Sequence, residues 1–241
     1  DTIVSVTLNG ANTGRTAPTA SKEMAYHFNV LAQDRPGNES TLEIKFTVDT
    51  TKPTLSISGI LDGFFNENLK PVVTYSDIHL DPSRTSVTLN GAPYKNGTNL
   101  ELEKDYVFKA TVTDLANNVS TRTIVFTIDK TSPVIKFKEP VSNKYFNKDL
   151  IPELLIEDLN EYDIIALTLD GREYKLGDPI TSEGKHVLFF EVKDKAGNIK
   201  QLSVEFIIDK KAPKVIYDGI KQNEQYYEAV KSAIRLDNPS D

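Results

Sequence analysis

YVFKATVTDLANNVSTRTIVFTID, residues 106–129, decides the fold. In its first nine residues Tyr106, Phe108, Ala110 and Val112 fall on one face and Val107, Lys109, Thr111 and Thr113 on the other, the period of a strand buried on one side. After the turn, Ile124, Phe126 and Ile128 alternate with Thr123, Val125 and Thr127 in the same way. Between the two lies the turn. Asp114 has the side chain to accept hydrogen bonds from the turn's own amides, and Asn117 stands where a left-handed residue closes such a hairpin.

Working outward, the same hairpin is written three times. Asp34, Asp114 and Asp194 are spaced by 80 residues, as are Phe46, Phe126 and Phe206, and Pro53, Pro133 and Pro213. Gly37 and Gly197 take the place of Asn117, as expected of a positive φ, and Pro36 sits where a fixed φ is welcome. Upstream, VTLNG ending at Gly10 recurs at Gly91 and as LTLDG at Gly171, so the first copy carries one extra residue. The remaining apolar stretches, TLSISGI, PVVTYSD and SVTLNG among them, are short and bounded by turn residues every 8 to 12 positions. YYEAVKSAIRL has a helical composition, but its counterparts FFNENLKPVVTY and YFNKDLIPELLI contain Pro71 and Pro152, so a strand is expected there as well. The class that fits is all-β, in two antiparallel sheets of about seven strands per 80 residues.

Composition narrows function without naming it. The net charge of −7 carries no basic block, which argues against nucleic acid as a partner. Cysteine is absent, so disulfides and thiolate chemistry are excluded together. No apolar run is long enough to span a membrane, and DTIVSVTLNG lacks the pattern of a signal peptide, so an export signal is expected outside this sequence.

YVFKATVTDLANNVS resembles strand F, turn and strand G of an immunoglobulin-like or fibronectin type III sandwich, with Tyr26 and Tyr106 at the tyrosine-corner position and His186 replacing it in the third copy. More narrowly, DLANNVSTRTIVFTIDKTSP and DKAGNIKQLSVEFIIDKKAP resemble the tandem bacterial immunoglobulin-like repeats of large exported surface proteins and multimodular glycosidases. The resemblance implies modules that usually act as spacers and occasionally as adhesins, in an extracellular or cell-surface setting. Cut at the prolines, the chain holds a C-terminal half-repeat (1–53), two whole repeats (54–133 and 134–213) and an N-terminal half-repeat (214–241). A rival frame, cut before each TLNG strand, gives three whole units at about 1–80, 81–160 and 161–241. On the proline frame the chain is a piece of a longer array whose end fragments expose strand edges to a neighbour's complementary half.

No catalytic, cofactor-binding or metal-binding residue is expected. His27 falls on an outward strand face, His79 in a loop and His186 at the corner, with no shared place in the repeat. Glu157, Asp158, Glu161 and Asp163 form a charged loop, and a small sandwich offers no cleft for paired carboxylates. Asp49, Asp129 and Asp209 each precede a junction proline by four residues, where calcium would stiffen a rod, but one carboxylate per junction is too few. Capping of the turn is the expected role. An isopeptide bond at Lys136 is not expected, since Ser56 is its counterpart, and two of the sequons at Asn38, Asn96 and Asn118 are explained by the repeated turn. The aromatic pairs Phe64 and Phe65, Tyr145 and Phe146, and Tyr226 and Tyr227 recur in every copy, each in a loop-like stretch, which suits packing better than a sugar site. The expected function is a non-catalytic spacer or stalk whose partners are neighbouring domains of a longer polypeptide. The alternative is recognition of a host protein or a cell-surface polysaccharide.

Overall fold

The computed structural model describes residues 1–237 and contains no α-helix among them. It divides into two compact units, one of residues 1–63 and 67–128, the other of 64–66 and 129–241. The periodicity of the sequence is the periodicity of the strands. In the first unit β1 (Thr2–Leu8), β2 (Ala11–Asn12), β3 (Met24–Gln33) and β4 (Glu39–Val48) form an antiparallel sheet in the order β2-β1-β3-β4. There follow β5 (Thr54–Ser58), β6 (Gly63–Phe65), β7 (Val72–Ser76), β8 (Ser86–Leu89), β9 (Ala92–Pro93), β10 (Lys104–Thr113) and β11 (Val119–Ile128). β5 and β7 make a small sheet of their own, and β11, β10, β8 and β9 a second, in that order.

The hairpin read from the sequence is β10 and β11, paired from Lys104 with Ile128 to Thr113 with Val119. Its inward residues Tyr106, Phe108, Ala110, Val112, Ile124, Phe126 and Ile128 are all buried, while Val107 and Val125 are exposed. Tyr106 stacks on Phe126 at 5.1 Å between ring centroids, as Tyr26 does on Phe46 at 5.2 Å. β5 packs against β11, closing a sandwich over this face.

The second unit repeats the plan with β12 (Val134–Phe137), β13 (Lys144–Phe146), β14 (Leu154–Glu157), β15 (Tyr162–Leu169), β16 (Arg172–Glu173), β17 (Gly184–Asp194) and β18 (Ile199–Ile208). β12 pairs with β14, and Phe137, Leu154 and Ile156 pack on the core formed by Leu188, Phe190 and Val192 with Val204, Phe206 and Ile208. The last two strands are β19 (Lys214–Asp218) and β20 (Ala233–Asp237), a two-stranded sheet.

Two expectations need correction. The aromatic pair at Tyr145 and Phe146 was expected in a loop, yet Lys144–Phe146 is a strand that runs parallel to β18 at the sheet edge. Phe146 turns inward, 6.1 Å from Phe206, and Tyr145 turns out, so the pair splits between packing and exposure. YYEAVKSAIRL is strand only from Ala233 onward, because no partner strand lies beside Tyr226–Ser232.

Candidate functional site

The repeated turn has the same geometry each time, and its aspartate is buried in the second and third copies, at Asp114 and Asp194. Asn117 adopts φ 72°, Gly37 101° and Gly197 95°. Asp114 Oδ1 accepts the Asn118 backbone N–H at 2.8 Å and Oδ2 accepts the Asn118 side-chain amide at 2.8 Å. Asp194 holds Asn198 in the same manner at 2.8 and 2.7 Å, and Asp34 holds Asn38 at 2.7 and 2.8 Å. Burial would raise the Asp114 carboxyl, but the amide donors of Asn118 and Ala116 and the Arg84 charge hold it below its ordinary value. Arg84 also donates Nη1 to Asn117 Oδ1 at 2.6 Å and Nη2 to the Asp114 carbonyl, locking the second copy of the turn.

What the turn holds lies 69 residues back. The Asn118 amide, already donating to Asp114, donates its other hydrogen to the carbonyl of Asp49, 3.1 Å away at the start of the segment Asp49–Pro53. The Asn198 amide does the same to the carbonyl of Asp129 at 2.9 Å and reaches Thr131 O at 3.3 Å. Ser120 Oγ adds a bond to Pro53 O at 2.6 Å. A second grip takes the carboxylate of the same linker residue. Asp77 Oδ1 accepts the His79 N–H at 2.7 Å, and this Asx turn presents His79 Nδ1 to Asp49 Oδ2 at 2.8 Å. Asp158 Oδ1 likewise accepts the Asn160 N–H at 2.9 Å, and Asn160 Nδ2 donates to Asp129 Oδ2. The expected capping role is also present. Asp49, Asp129 and Asp209 each accept the N–H two residues ahead, at 3.0, 3.1 and 3.0 Å.

The charged loop is therefore not uniformly solvated, and a single carboxylate at each junction is an undercount. Asp129, Asp158 and Asp194 bring oxygens within 4.8 Å of one another, and Asp49, Asp77 and His79 form a comparable group. Burial raises the Asp158 carboxyl above its ordinary value, and the charges of Asp129 and Asp194 push it the same way. Among the described residues, these six are grouped closely enough to offer ligand atoms to one cation. Calcium takes six to eight oxygens, however, whereas the groups that reach Asp129 and Asp194 here are the N–H donors of Thr131, Asn160 and Asn198. The same residues hold the linker Asp by hydrogen bonds, and in that role each group is a clamp. Glu157 pairs with Lys136 at 3.0 Å and leaves that lysine on the surface, away from isopeptide chemistry.

The histidines separate as the sequence implied. His27 pairs on the strand surface with Glu43 at 2.8 Å. His186 is buried at the corner, and there Nε2 donates to the carbonyl of Ser182 at 2.9 Å, four residues back. Tyr106 and Tyr26 bond Leu102 O and Lys22 O at the same interval, so the imidazole preserves the corner with a different donor. Its Nδ1 meets Asp170 Oδ2 at 2.8 Å. At the sequon residues Asn118 and Asn96 the amide nitrogens are engaged by backbone carbonyls, Asn96 with Val73 O at 2.8 Å.

Residues 178–210, spanning β17 and β18, match a family described as bacterial Ig-like domain. The chain is similar there to a bacterial immunoglobulin-like domain. Among solved structures it is similar to the fibronectin(III)-like modules of Clostridium thermocellum CbhA at 14% identity, covering 64% of this chain and 94% of that one, with a TM-score of 0.32. It is similar to a tetra-tandem repeat in the extending region of a large adhesion protein at 15% identity, covering 90% and 71%, with a TM-score of 0.39. Domains 1–5 of Sidekick-1 are similar at 13% identity, covering 97% and 60%, with a TM-score of 0.38. No curated protein matches the sequence.

Proposed function

We propose that this chain is a non-catalytic spacer, a stalk segment of tandem immunoglobulin-like modules in a bacterial extracellular or cell-surface protein. The observation that carries this reading is the two-point grip on the linker residue. Asn118 holds the carbonyl of Asp49 and His79 its carboxylate, and Asn198 and Asn160 do the same for Asp129. A flexible tether has no use for side chains whose hydrogen bonds end on the linker residue, because ordering them costs conformational entropy. A spacer has that use. The linker residue Asp129 is itself buried, with its carbonyl held by Asn198 and its carboxylate by Asn160.

A recognition module for a host protein or a polysaccharide is the second reading, and Tyr145, three-quarters exposed beside Lys144 and Lys185, is the feature that favours it. A glycan array and a polysaccharide pull-down with the full chain separate the two. A spacer gives no retention above an unrelated sandwich domain. Saturable retention that Tyr145→Ala abolishes would establish recognition instead.

A further inference from the structure

In the first unit the turn that follows β9 closes one edge of the small sheet. Asn96 Oδ1 accepts the Val73 N–H at 2.8 Å and its amide donates to the Val73 carbonyl at 2.8 Å, so a side chain takes the place of a paired strand beside β7. Gly97 donates its N–H to the carbonyl of Pro71 at 3.0 Å, and the Tyr94 hydroxyl lies 3.1 Å from the same oxygen. These contacts continue the isolated bridge between Leu69 and Leu100. An open strand edge is a template for pairing with another chain, and this closure removes it.

The second unit keeps the bridge, between Leu150 and Ile180, and loses the closure. Leu176 stands at the position of Asn96, and Gly177 at that of Gly97. Phe137 with Leu154 is the counterpart of Ile57 with Val73. The Lys138 N–H donates to Glu153 O at 2.9 Å, so Glu153, Leu155 and Glu157 turn their backbone groups toward β12, while Leu154 and Ile156 turn theirs away. Among the described residues nothing reaches the Leu154 N–H and C=O from the turn. Leu176 has no polar side-chain atom to offer, Gly177 makes no bond to Pro152, and the Tyr174 hydroxyl donates to the Asp178 carbonyl instead. The strand and the turn that would close it belong to one whole repeat, so the opening is a property of Leu176, which is itself 41% exposed.

We infer that the open edge of β14 is a docking site for an extended peptide of a partner protein, with Lys or Arg at alternate positions around an apolar residue. Main-chain pairing with Leu154 and Ile156 supplies the affinity of such a strand addition. Charge selects the occupant. On its solvent face β14 presents Glu153, Leu155 and Glu157 in a row, each at least half exposed. On the closed side β12 meets that row with Lys138 at 2.8 Å from Glu153 and Lys136 at 3.0 Å from Glu157. The open side leaves the same row unopposed. A strand that sets Lys or Arg opposite Glu153 and Glu157, and an apolar residue opposite Leu155, completes it, whereas a second β14 would set Glu153 against Glu157, like charges directly opposite. The inference goes beyond the spacer reading, which stands whether or not a peptide binds.

Fluorescence anisotropy of the labelled peptide Thr-Lys-Thr-Val-Thr-Lys-Thr, titrated with the full chain, tests it. Saturable binding is expected, with the Leu154 and Ile156 amides gaining protection in hydrogen exchange. Leu176→Asn supplies the side chain that closes β7 and is expected to weaken binding about tenfold or more. Glu153→Gln/Glu157→Gln removes the charges that select the peptide and is expected to weaken it about fivefold. All three changes fall at exposed positions, and far-ultraviolet dichroism checks the fold. A peptide with Glu in place of Lys is expected not to bind, nor is one N-methylated at its threonines, whose N–H groups would face β14. A parent chain that shows no saturable binding overturns the inference. So does equal binding by either variant, by the acidic peptide or by the N-methylated one. Self-association in sedimentation velocity that Leu176→Asn abolishes would give the edge to a second copy and overturn it as well.

Discussion

Replacing Asn118 by alanine removes two bonds from one amide. One ends on the carboxylate of Asp114, which is fully buried, at 2.8 Å, and the other on the carbonyl of Asp49 at 3.1 Å. A bond to a charged group contributes about 1.5–3 kcal/mol and a neutral one about 0.5–1.5 kcal/mol. The sum puts Asn118→Ala at about 2–4.5 kcal/mol, with the upper end favoured by a carboxylate left buried with one donor fewer. The first copy of the turn supplies its own control. Asn38 makes the same bond to Asp34 at 2.8 Å, but at the surface and with no bond to a linker carbonyl, so Asn38→Ala is expected to cost less than about 1 kcal/mol. Urea unfolding of both variants, read at a constant slope, measures the difference. Equal costs would refute the reasoning, because they would mean that neither burial nor the linker bond matters to the Asn at this position.

Asn117→Val is expected to cost on the order of 1 kcal/mol or more, since φ is 72° there and a β-branched residue resists it, while Asn117→Gly is tolerated; thermal melts distinguish them. Phe108→Ala is expected to cost about 3–5 kcal/mol by calorimetry, because Phe108 is fully buried and packs edge-on to Tyr94 at 5.0 Å. Asp158→Asn keeps the acceptor for the Asn160 N–H and removes a charge that Asp129 and Asp194 oppose, so Tm rises at neutral pH. The sign follows from linkage: the folded carboxyl takes up its proton at a higher pH than the unfolded one, so the variant's advantage is full above that range and fades as pH falls through it.

The hairpin was legible because two signals agreed, alternation on both flanks and residues tolerant of positive φ at one repeated turn position. Strands β5, β7, β12 and β14 were legible from short apolar runs, although Lys144–Phe146 read as loop because three residues are too few to show a period. The clamp was not legible as a clamp. Asn118 and Asp49 are 69 residues apart, and only the packing of the sheets sets an amide beside that carbonyl. The available signal was the recurrence of Asn38, Asn118 and Asn198 at 80 residues, which the sequon pattern and the turn seemed to exhaust. His186 was read as replacing the tyrosine of the corner, and its ring nitrogen reaches the carbonyl four residues back, as the tyrosine hydroxyls do. Asp158 looked solvated for the same reason that Asn118 looked local. Its neighbours Asp129 and Asp194 come from other strand ends.

Rigidity of the linker is the central claim, and a distance distribution across it is the direct measurement. The chain has no cysteine, so Thr41→Cys on β4 and Lys109→Cys on β10, both exposed and both in the first unit, accept spin labels uniquely. Pulsed dipolar spectroscopy is expected to give one narrow distribution, broadened when Asn118→Ala and His79→Ala release Asp49. A distribution that is broad in the parent chain, or equally narrow after both grips are removed, would contradict a clamped linker.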